Sequence, residues 1–225
     1  MRSTKLGGHL FQLTRFGAIN AYLVREADGF TLIDTTLGGA ADGLIAAAAA
    51  AGGEIKRIAL THGHGDHVGS LDALKARLGS TVQISMGELD ARILAGETVV
   101  EGKLPGSWPN VKTVPDTRLV GGERIGSLEV VATPGHSPGH VAFRDIRDGA
   151  VIAGDVFTSF GGVAVSNHFH FRFPFAAMAT WDGGKDLESA RVVRALNPSL
   201  LVVGHGPATP LPAAAMDAAI TRAQR

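Results

Sequence analysis

Residues 56–69 read KRIALTHGHGDHVG, a strand-like apolar run that leads directly into four side chains able to bind metal. Three of these are histidines, His62, His64 and His67, and the fourth is Asp66. The glycines between them let the backbone turn tightly enough for the four side chains to converge. Imidazole nitrogens and carboxylate oxygens are ligands suited to zinc, iron(II) or manganese. The stretch therefore predicts a metal site at the end of a β-strand.

The composition limits the classes of function that the chain can have. Its 225 residues are 45% apolar and 19% charged, as in an ordinary globular protein. The formal net charge of zero argues against a nucleic-acid-binding surface. The absence of cysteine excludes disulfides, thiolate metal ligands and a cysteine nucleophile. Because no apolar run has the length of a signal peptide or a membrane span, we expect a cytoplasmic location and no membrane partner.

Strand-like and helix-like segments alternate in two halves of similar order. In the first half we predict strands at residues 9–16, 20–24, 30–35, 56–62 and 81–85, and helices at 39–53, 70–78 and 86–94. A Gly/Pro-rich connection follows at residues 96–115. In the second half we predict strands at 118–125, 127–134, 140–146, 150–155 and 200–205, and helices at 186–196 and from Pro210. The order predicts one α/β domain over residues 1–225, an αββα sandwich of two mixed sheets with helices on the outer faces.

Three further polar residues stand where predicted strands end. His136 lies in TPGHSPGH, Asp155 closes AVIAGD, and His205 closes LLVVGH, each next to a glycine. Strand ends are rigid positions from which to project ligands. Each residue alone is more typical of a turn, but together with the histidine-rich stretch they form a coherent ligand set.

These motifs resemble those of the metallo-β-lactamase superfamily. THGHGDHVG is similar to its His-x-His-x-Asp-His signature, and TPGHSPGH, GD and GHGP match its later motifs in order. The resemblance implies two divalent metal ions, zinc in the first instance with iron or manganese as alternatives. It implies one ion bound by His62, His64 and His136, a second bound by Asp66, His67 and His205, and Asp155 bridging the two. It further implies that Asp34 supports the site by a hydrogen bond to a ligand histidine.

The ligand set implies a hydrolytic chemistry. A hydroxide held between two cations is a nucleophile at neutral pH, because the cations lower the pKa of water. Asp66 is the predicted catalytic residue, which would orient the hydroxide and pass a proton to the leaving atom. No side-chain nucleophile is required, so Ser137 and Ser159 are not predicted to act as one.

The aromatic stretch SNHFHFRFPFAAMATW, residues 166–181, has two interpretations. It is either a strand with Phe169, Phe171 and Phe173 buried, or a wall of the substrate pocket that offers His168, His170 and Phe171. The second interpretation predicts a substrate with an apolar part. Trp108, in the Gly/Pro-rich connection, either caps the cleft or anchors the loop to the sheet.

Differences between this sequence and individual branches of the superfamily reduce the number of candidate reactions. Asp155 stands where one β-lactamase branch has a cysteine ligand, and the helical domain of glyoxalase II-like thioesterases has no counterpart in the twenty residues after His205. The leading hypothesis is a compact hydrolase, near the lactonases and glyoxalase II-like enzymes, that cleaves a lactone, ester or thioester. Its partner would be a small molecule, and a homodimer is compatible with the sequence.

Two other functions stay open from the sequence. One is a mononuclear iron persulfide dioxygenase that uses His62, His136 and Asp155. The characteristic arginine-containing stretch of that branch is missing from VFTSFGGVAVSN. The other is β-lactam hydrolysis as a side activity.

Overall fold

Two large β-sheets organise the computed structural model, which describes residues 1–225. The first sheet has seven strands in chain order: β1 (Arg2–Lys5), β2 (Leu10–Arg15), β3 (Ile19–Glu26), β4 (Gly29–Ile33), β5 (Ile55–Leu60), β6 (Gln83–Gly87) and β7 (Thr117–Leu119). Strands β1 to β4 pair antiparallel, and β4 to β7 pair parallel. Parallel neighbours need crossover connections. These contain α1 (Ala41–Ala50), α2 (Gly65–Val68), α3 (Leu71–Leu78) and α4 (Glu88–Leu94).

The second sheet is built from the C-terminal half. Its strands are β8 (Arg124–Ile125), β9 (Leu128–Ala132), β10 (Val141–Asp145), β11 (Val151–Ile152), β14 (Leu200–Val202) and β15 (Thr209–Pro210), and a separate hairpin is formed by β12 (Phe157–Thr158) and β13 (Ala164–Val165). The helices are α5 (Phe175–Ala179), α6 (Gly183–Ala195) and α7 (Ala213–Ala223). The spatial order β15-β14-β11-β10-β9-β8 includes one parallel pair, β11 with β14, so this sheet is also mixed.

Three apolar layers hold the sheets and helices together. Successive side chains of a strand point to opposite faces, and in β3 Ala21 and Leu23 pack towards α1 and α3 while Tyr22 and Val24 pack towards the second sheet. A third layer joins the second sheet to α6 and α7 through residues such as Val193 and Met216. The order is therefore helix, sheet, sheet, helix, and the αββα prediction is confirmed. None of the helices has the length and apolar character needed to span a membrane.

The aromatic stretch at 166–181 is not the alternating strand that one interpretation predicted. Phe169 and Phe171 are 63% and 90% exposed, and the chain turns before it forms the short helix α5. Proline is favoured at the start of a helix, where its fixed φ fits and its missing N–H costs nothing, and Pro174 occupies the N-cap of α5. The alternation of aromatic residues here reflects no pairing with a neighbouring strand.

Candidate metal centre

The seven predicted ligands gather at one end of the two sheets. The first four lie in the loop after β5 and in α2, and Asp66 and His67 are part of that single helical turn. From the second sheet, His136 lies between β9 and β10, Asp155 follows β11, and His205 follows β14. Strand β5 ends two residues before His62 and β14 ends three residues before His205, so the rigid sheets fix the positions of these side chains.

Three histidine nitrogens face one another on one side of the site. His62 Nε2 and His136 Nε2 each lie 3.1 Å from His64 Nδ1. Burial lowers the pKa of His64 to about 4 and holds the pKa values of His62 and His136 well below their usual range. These imidazoles are therefore neutral at pH 7, with nitrogens directed at a common point. A divalent cation is the partner that such a convergence fits.

The other side of the site combines histidines with carboxylates. His205 Nε2 lies 3.2 Å from Asp66 Oδ2 and 3.2 Å from Asp155 Oδ2. Burial alone would lower the pKa of His205, but the charges and hydrogen bonds of Asp155 and Asp66 outweigh it and raise the pKa to about 9. His67 Nε2 and Asp155 Oδ1 lie 3.5 Å apart, and both are buried without a hydrogen-bond partner. Buried polar atoms are rarely left unpaired, and a bound cation would satisfy both.

Asp155 touches both groups of ligands. Its Oδ2 lies 3.5 Å from His136 Nε2 and 3.2 Å from His205 Nε2, while its Oδ1 faces His67. Ligand atoms within 4.8 Å of one another form three sets: His62, His64 and His136; His62, His67 and Asp155; and Asp66, His67 and His205. The donor set therefore fits divalent metal ions, with a carboxylate in the middle.

Asp34 holds the histidine-rich loop in place through hydrogen bonds to Thr61 and His67. Its carboxylate accepts hydrogen bonds from the Thr61 backbone N–H, the Thr61 hydroxyl and the Nδ1 of His67, each at 2.8 Å. A carboxylate on Nδ1 fixes the ring tautomer and leaves Nε2 free for a metal. The structure thus brings Asp34 to the predicted ligand His67, the kind of contact that the resemblance implied. Asp34 has a positive φ of 61°, a conformation that aspartate adopts more readily than most residues.

Asp90 is a second buried carboxylate beside the site, and the sequence did not predict it. It accepts hydrogen bonds from Gly63 N at 2.9 Å, Gly139 N at 2.6 Å and the Ser137 hydroxyl at 2.5 Å. Burial raises its pKa to about 6, although the three donors act in the opposite direction. Asp90 therefore ties the loop of His62 and His64 to the loop of His136. Nothing in the pattern MGELDARIL distinguishes it from an exposed acidic residue of a helix.

Two further hydrogen-bonded supports hold predicted ligands in place. The Nε2 of His140 accepts a hydrogen bond from the backbone N–H of Asp155 at 3.1 Å, and its Nδ1 donates to the Thr133 hydroxyl at 2.8 Å. On the other side, His205 Nδ1 donates to the Ala18 carbonyl at 3.1 Å, just before β3. The first sheet thereby helps to position His205, a predicted ligand that follows a strand of the second sheet.

The cavity over the ligands has walls different from those predicted. It has a volume of about 70 Å³ and is lined by His64, Asp66, His136, Asp155, Phe173, Phe175, Ala176, Ala179 and His205. His168, His170 and Phe171 are not among these residues, so their predicted pocket role is not matched by the geometry. The chain turns after His170, which leaves Phe171 on the surface and brings the ring of Phe173 to 4.7 Å from that of His205.

Trp108 covers the histidine-rich loop from outside. Its ring packs edge-on against His64, with centroids 5.0 Å apart, and occupies the space that a Cβ at Gly63 would need. A larger cavity, about 760 Å³, lies away from the site, next to α1 and α3, and contains none of the predicted ligands. Its Lys56, Arg57 and Arg77 are already paired with carboxylates.

A family model described as the metallo-beta-lactamase superfamily matches residues 14–205. The chain belongs to the metallo-β-lactamase superfamily. The matched residues run from β2 to His205 and contain all seven predicted ligands. Superfamily membership and the buried cluster of histidines and aspartates together support a metal-dependent hydrolase that binds divalent metal ions.

Relatives of known sequence or structure agree with this placement. The chain is 42% identical to the uncharacterized protein YobT of Bacillus subtilis over 96% of each chain. It is 33% identical to a hydroxyacylglutathione hydrolase of Rhodospirillum rubrum, covering 82% of this chain but only 60% of that protein. A solved structure, TTHA1623 in a di-iron-bound form, is 28% identical and superposes with a TM-score of 0.68 over 90% of this chain and 94% of that one.

Proposed function

We propose that this superfamily member is a two-metal hydrolase of a lactone, ester or thioester that carries an apolar part. His62, His64 and His136 would hold one divalent ion, and Asp66, His67 and His205 the other. Asp155 would contribute to both. The proposal favours a small-molecule substrate, because the cavity over the ligands is small and lies between the ends of two sheets.

The observation that carries this proposal is the position of Asp155. Its two carboxylate oxygens lie 3.2–3.5 Å from nitrogens of His67, His136 and His205, which belong to both proposed ligand groups. Two nearby cations repel each other, and an anionic ligand between them offsets that repulsion. A protein with a single metal ion would leave the second group, Asp66, His67 and His205, without a role.

The buried ligands and the more exposed Asp66 would have different roles in the proposed reaction. When bound, the metal ions would supply an activated water and a Lewis acid for the carbonyl oxygen. Six of the seven ligands are buried, so the metal-binding groups are shielded from bulk water. Asp66 is the exception, because its side chain is 32% exposed at the cavity rim. It is therefore the ligand best placed to receive a proton from water and pass it to the leaving atom.

Metal analysis tests the ligand assignment directly. We expect about two divalent ions per purified chain by mass spectrometry of the metal content, and at least one fewer in Asp155→Ala. Asp148→Ala, in the exposed turn between β10 and β11, is a matched control that should keep both ions. Full occupancy of both sites in Asp155→Ala would refute the assignment of the bridge. The same measurement identifies the metal, zinc in our proposal, with iron as the alternative.

Turnover tests the reaction class. Metal-loaded protein is assayed with an acyl-homoserine lactone, a p-nitrophenyl ester, glutathione and coenzyme A thioesters, and a chromogenic β-lactam. We expect cleavage of at least one lactone, ester or thioester, its loss with a chelator and its return with added metal. Failure of metal-replete protein to cleave any of them would contradict the proposal, and one iron per chain with oxygen uptake on glutathione persulfide would favour the dioxygenase.

A further inference from the structure

An apolar groove continues outward from the cavity over the metal ligands. Its volume is about 450 Å³, and it is lined by Leu37, Gly65, Asp66, Gly106, Ser107, Phe175, Met178 and Ala179. Asp66, Phe175 and Ala179 line both the groove and the cavity, so the two spaces adjoin. A molecule bound at the metal ligands can therefore extend into the groove.

The groove displays apolar side chains that the fold itself does not bury. Phe175 is 67% exposed and Met178 is 70% exposed, both on α5, and Leu37, which also lines the groove, is 39% exposed. Exposed apolar groups gathered in a groove are typical of a binding site. Methionine in such a position adapts to ligands of varied shape. The apolar partner that these side chains lack in the chain itself would be supplied by the substrate.

No cationic side chain lines the groove. The lining residues of the cavity and of the groove include no lysine and no arginine. Arg15 is the cation that contacts the loop of Leu37, but its guanidinium donates hydrogen bonds to the carbonyls of Leu37 and Gly38 and does not line the groove. A substrate with carboxylate or phosphate groups on its distal part would lose their hydration here without gaining an ion pair.

We propose that the groove between α5 and the 105–107 loop binds the uncharged, apolar acyl chain of the substrate. The inference rests on the proposed two-metal hydrolase and narrows its substrate class. Medium-chain neutral lactones and esters fit the groove, whereas substrates whose acyl chain ends in a carboxylate or phosphate do not.

A binding experiment tests the groove without relying on turnover. Hydroxamates chelate divalent metals, so zinc-loaded protein is titrated calorimetrically with acetohydroxamate, octanohydroxamate and the monohydroxamate of succinate. A fully buried methylene gains roughly fourfold in affinity. Because the groove is open on one side, we expect octanohydroxamate to bind about tenfold or more tightly than acetohydroxamate. The succinate compound should bind no better than acetohydroxamate.

Variants in α5 and in the segment just before it test whether the groove causes the tighter binding of octanohydroxamate. Phe175→Ala and Met178→Ala should reduce the advantage of the octanoyl chain, whereas Phe171→Ala, a more exposed phenylalanine outside the groove, should leave it intact. Met178→Lys places a cation in the groove and should reverse the order, in favour of the succinate compound.

The outcomes separate this inference from the function on which it rests. Equal binding of acetohydroxamate and octanohydroxamate would contradict the proposed role of the groove but not the proposed metal site. The same holds if Phe171→Ala and Phe175→Ala reduce the affinity for octanohydroxamate equally. Absence of metal and of any hydroxamate binding would overturn the proposed function, and the groove inference with it. Tighter binding of the succinate compound to unaltered protein would show that the groove recognises anions, contrary to the inference.

Discussion

Asp90 shows how a single buried carboxylate can organise a site that it does not enter. Its oxygens accept hydrogen bonds from Gly63, Ser137 and Gly139, on the loops of two different sheets. Hydrogen bonds to a charged group are stronger than neutral ones, and these three set the distance between the His62 loop and the His136 loop. Asp34 acts in the same way on His67, through one charged hydrogen bond at 2.8 Å.

The raised pKa of Asp90 makes a prediction for the pH dependence of stability. Burial raises this pKa from 3.8 to about 6, so the folded state holds the proton more tightly than the unfolded state. The resulting stabilisation is complete below about pH 4 and is lost as the pH rises through about 6, a change of about 3 kcal/mol. In Asp90→Asn this titration is absent. We expect the stability of unaltered, metal-free protein to fall relative to Asp90→Asn between pH 4 and pH 7.

Urea unfolding of chelator-treated protein across this pH interval measures the difference. The amide introduced by Asp90→Asn also presents an N–H to a backbone donor, which adds a cost that does not vary with pH. Asp148→Asn, at an exposed turn, is the matched control. A difference between unaltered protein and Asp90→Asn that stays constant from pH 4 to pH 7 would contradict the titration of Asp90.

At the scale of elements, the Gly/Pro-rich loop at 96–115 fits closely against the histidine-rich loop. Trp108 lies where a Cβ at Gly63 would stand, and a Cβ at Gly106 would lie 2.5 Å from His64 Nε2. Ser107 O accepts a hydrogen bond from Gly65 N at 2.8 Å. Of the two glycines in the signature, Gly63 is therefore required by the loop that covers it, whereas a Cβ at Gly65 would come no closer than 3.4 Å to any atom of that loop.

Gly63→Ala should disturb the metal site through this contact. The added methyl group collides with the Trp108 ring, and overpacking of this kind typically costs about 1–3 kcal/mol. We expect weaker zinc binding in competition with a chromophoric chelator. The double variant Gly63→Ala/Trp108→Ala should regain most of the lost affinity, because the collision is removed.

Gly8→Ala is the control for this prediction, since nothing lies within 4 Å of its Cβ position and its φ is not positive. If the double variant binds zinc no better than Gly63→Ala, the loss arises from the backbone of the signature and not from the covering loop.

At the scale of the whole molecule, the proposed ligands come from both sheets. His62 to His67 follow β5 of the first sheet, whereas His136, Asp155 and His205 belong to the second. A metal ion held by both groups would act as a cross-link between the halves of the sandwich. A metal ion that binds only the folded state stabilises that state by mass action.

Metal removal should therefore lower the melting temperature. With free metal at about 100 times its Kd, the expected stabilisation is about 2.7 kcal/mol, which corresponds to about 5–10 °C for a chain of this length. Scanning calorimetry with chelator, and again after metal is restored, measures the shift. Asp155→Ala should show a smaller shift, and an unchanged melting temperature on chelation of unaltered protein would argue against a metal that joins the sheets.

The sequence by itself determined the residue types, their order and their local periodicity. The alternation in strands such as β3, the helical segments and the polar residues at strand ends are local patterns, because side-chain direction repeats every two residues in a strand and every 3.6 in a helix. These patterns were sufficient for the αββα fold and for the histidines and aspartates that the structure brings together.

Only the tertiary structure decided which distant residues support and line the site. Asp90 contacts Gly63 and Ser137, which are 27 and 47 residues away, and no local pattern marks such a pairing. Phe173, and not the predicted Phe171, faces the cavity because the chain turns just before α5. The sequence showed only an alternation of aromatic residues there and gave no sign of this turn. Contacts of this kind depend on how the sheets and loops pack, and packing is a property of the whole chain.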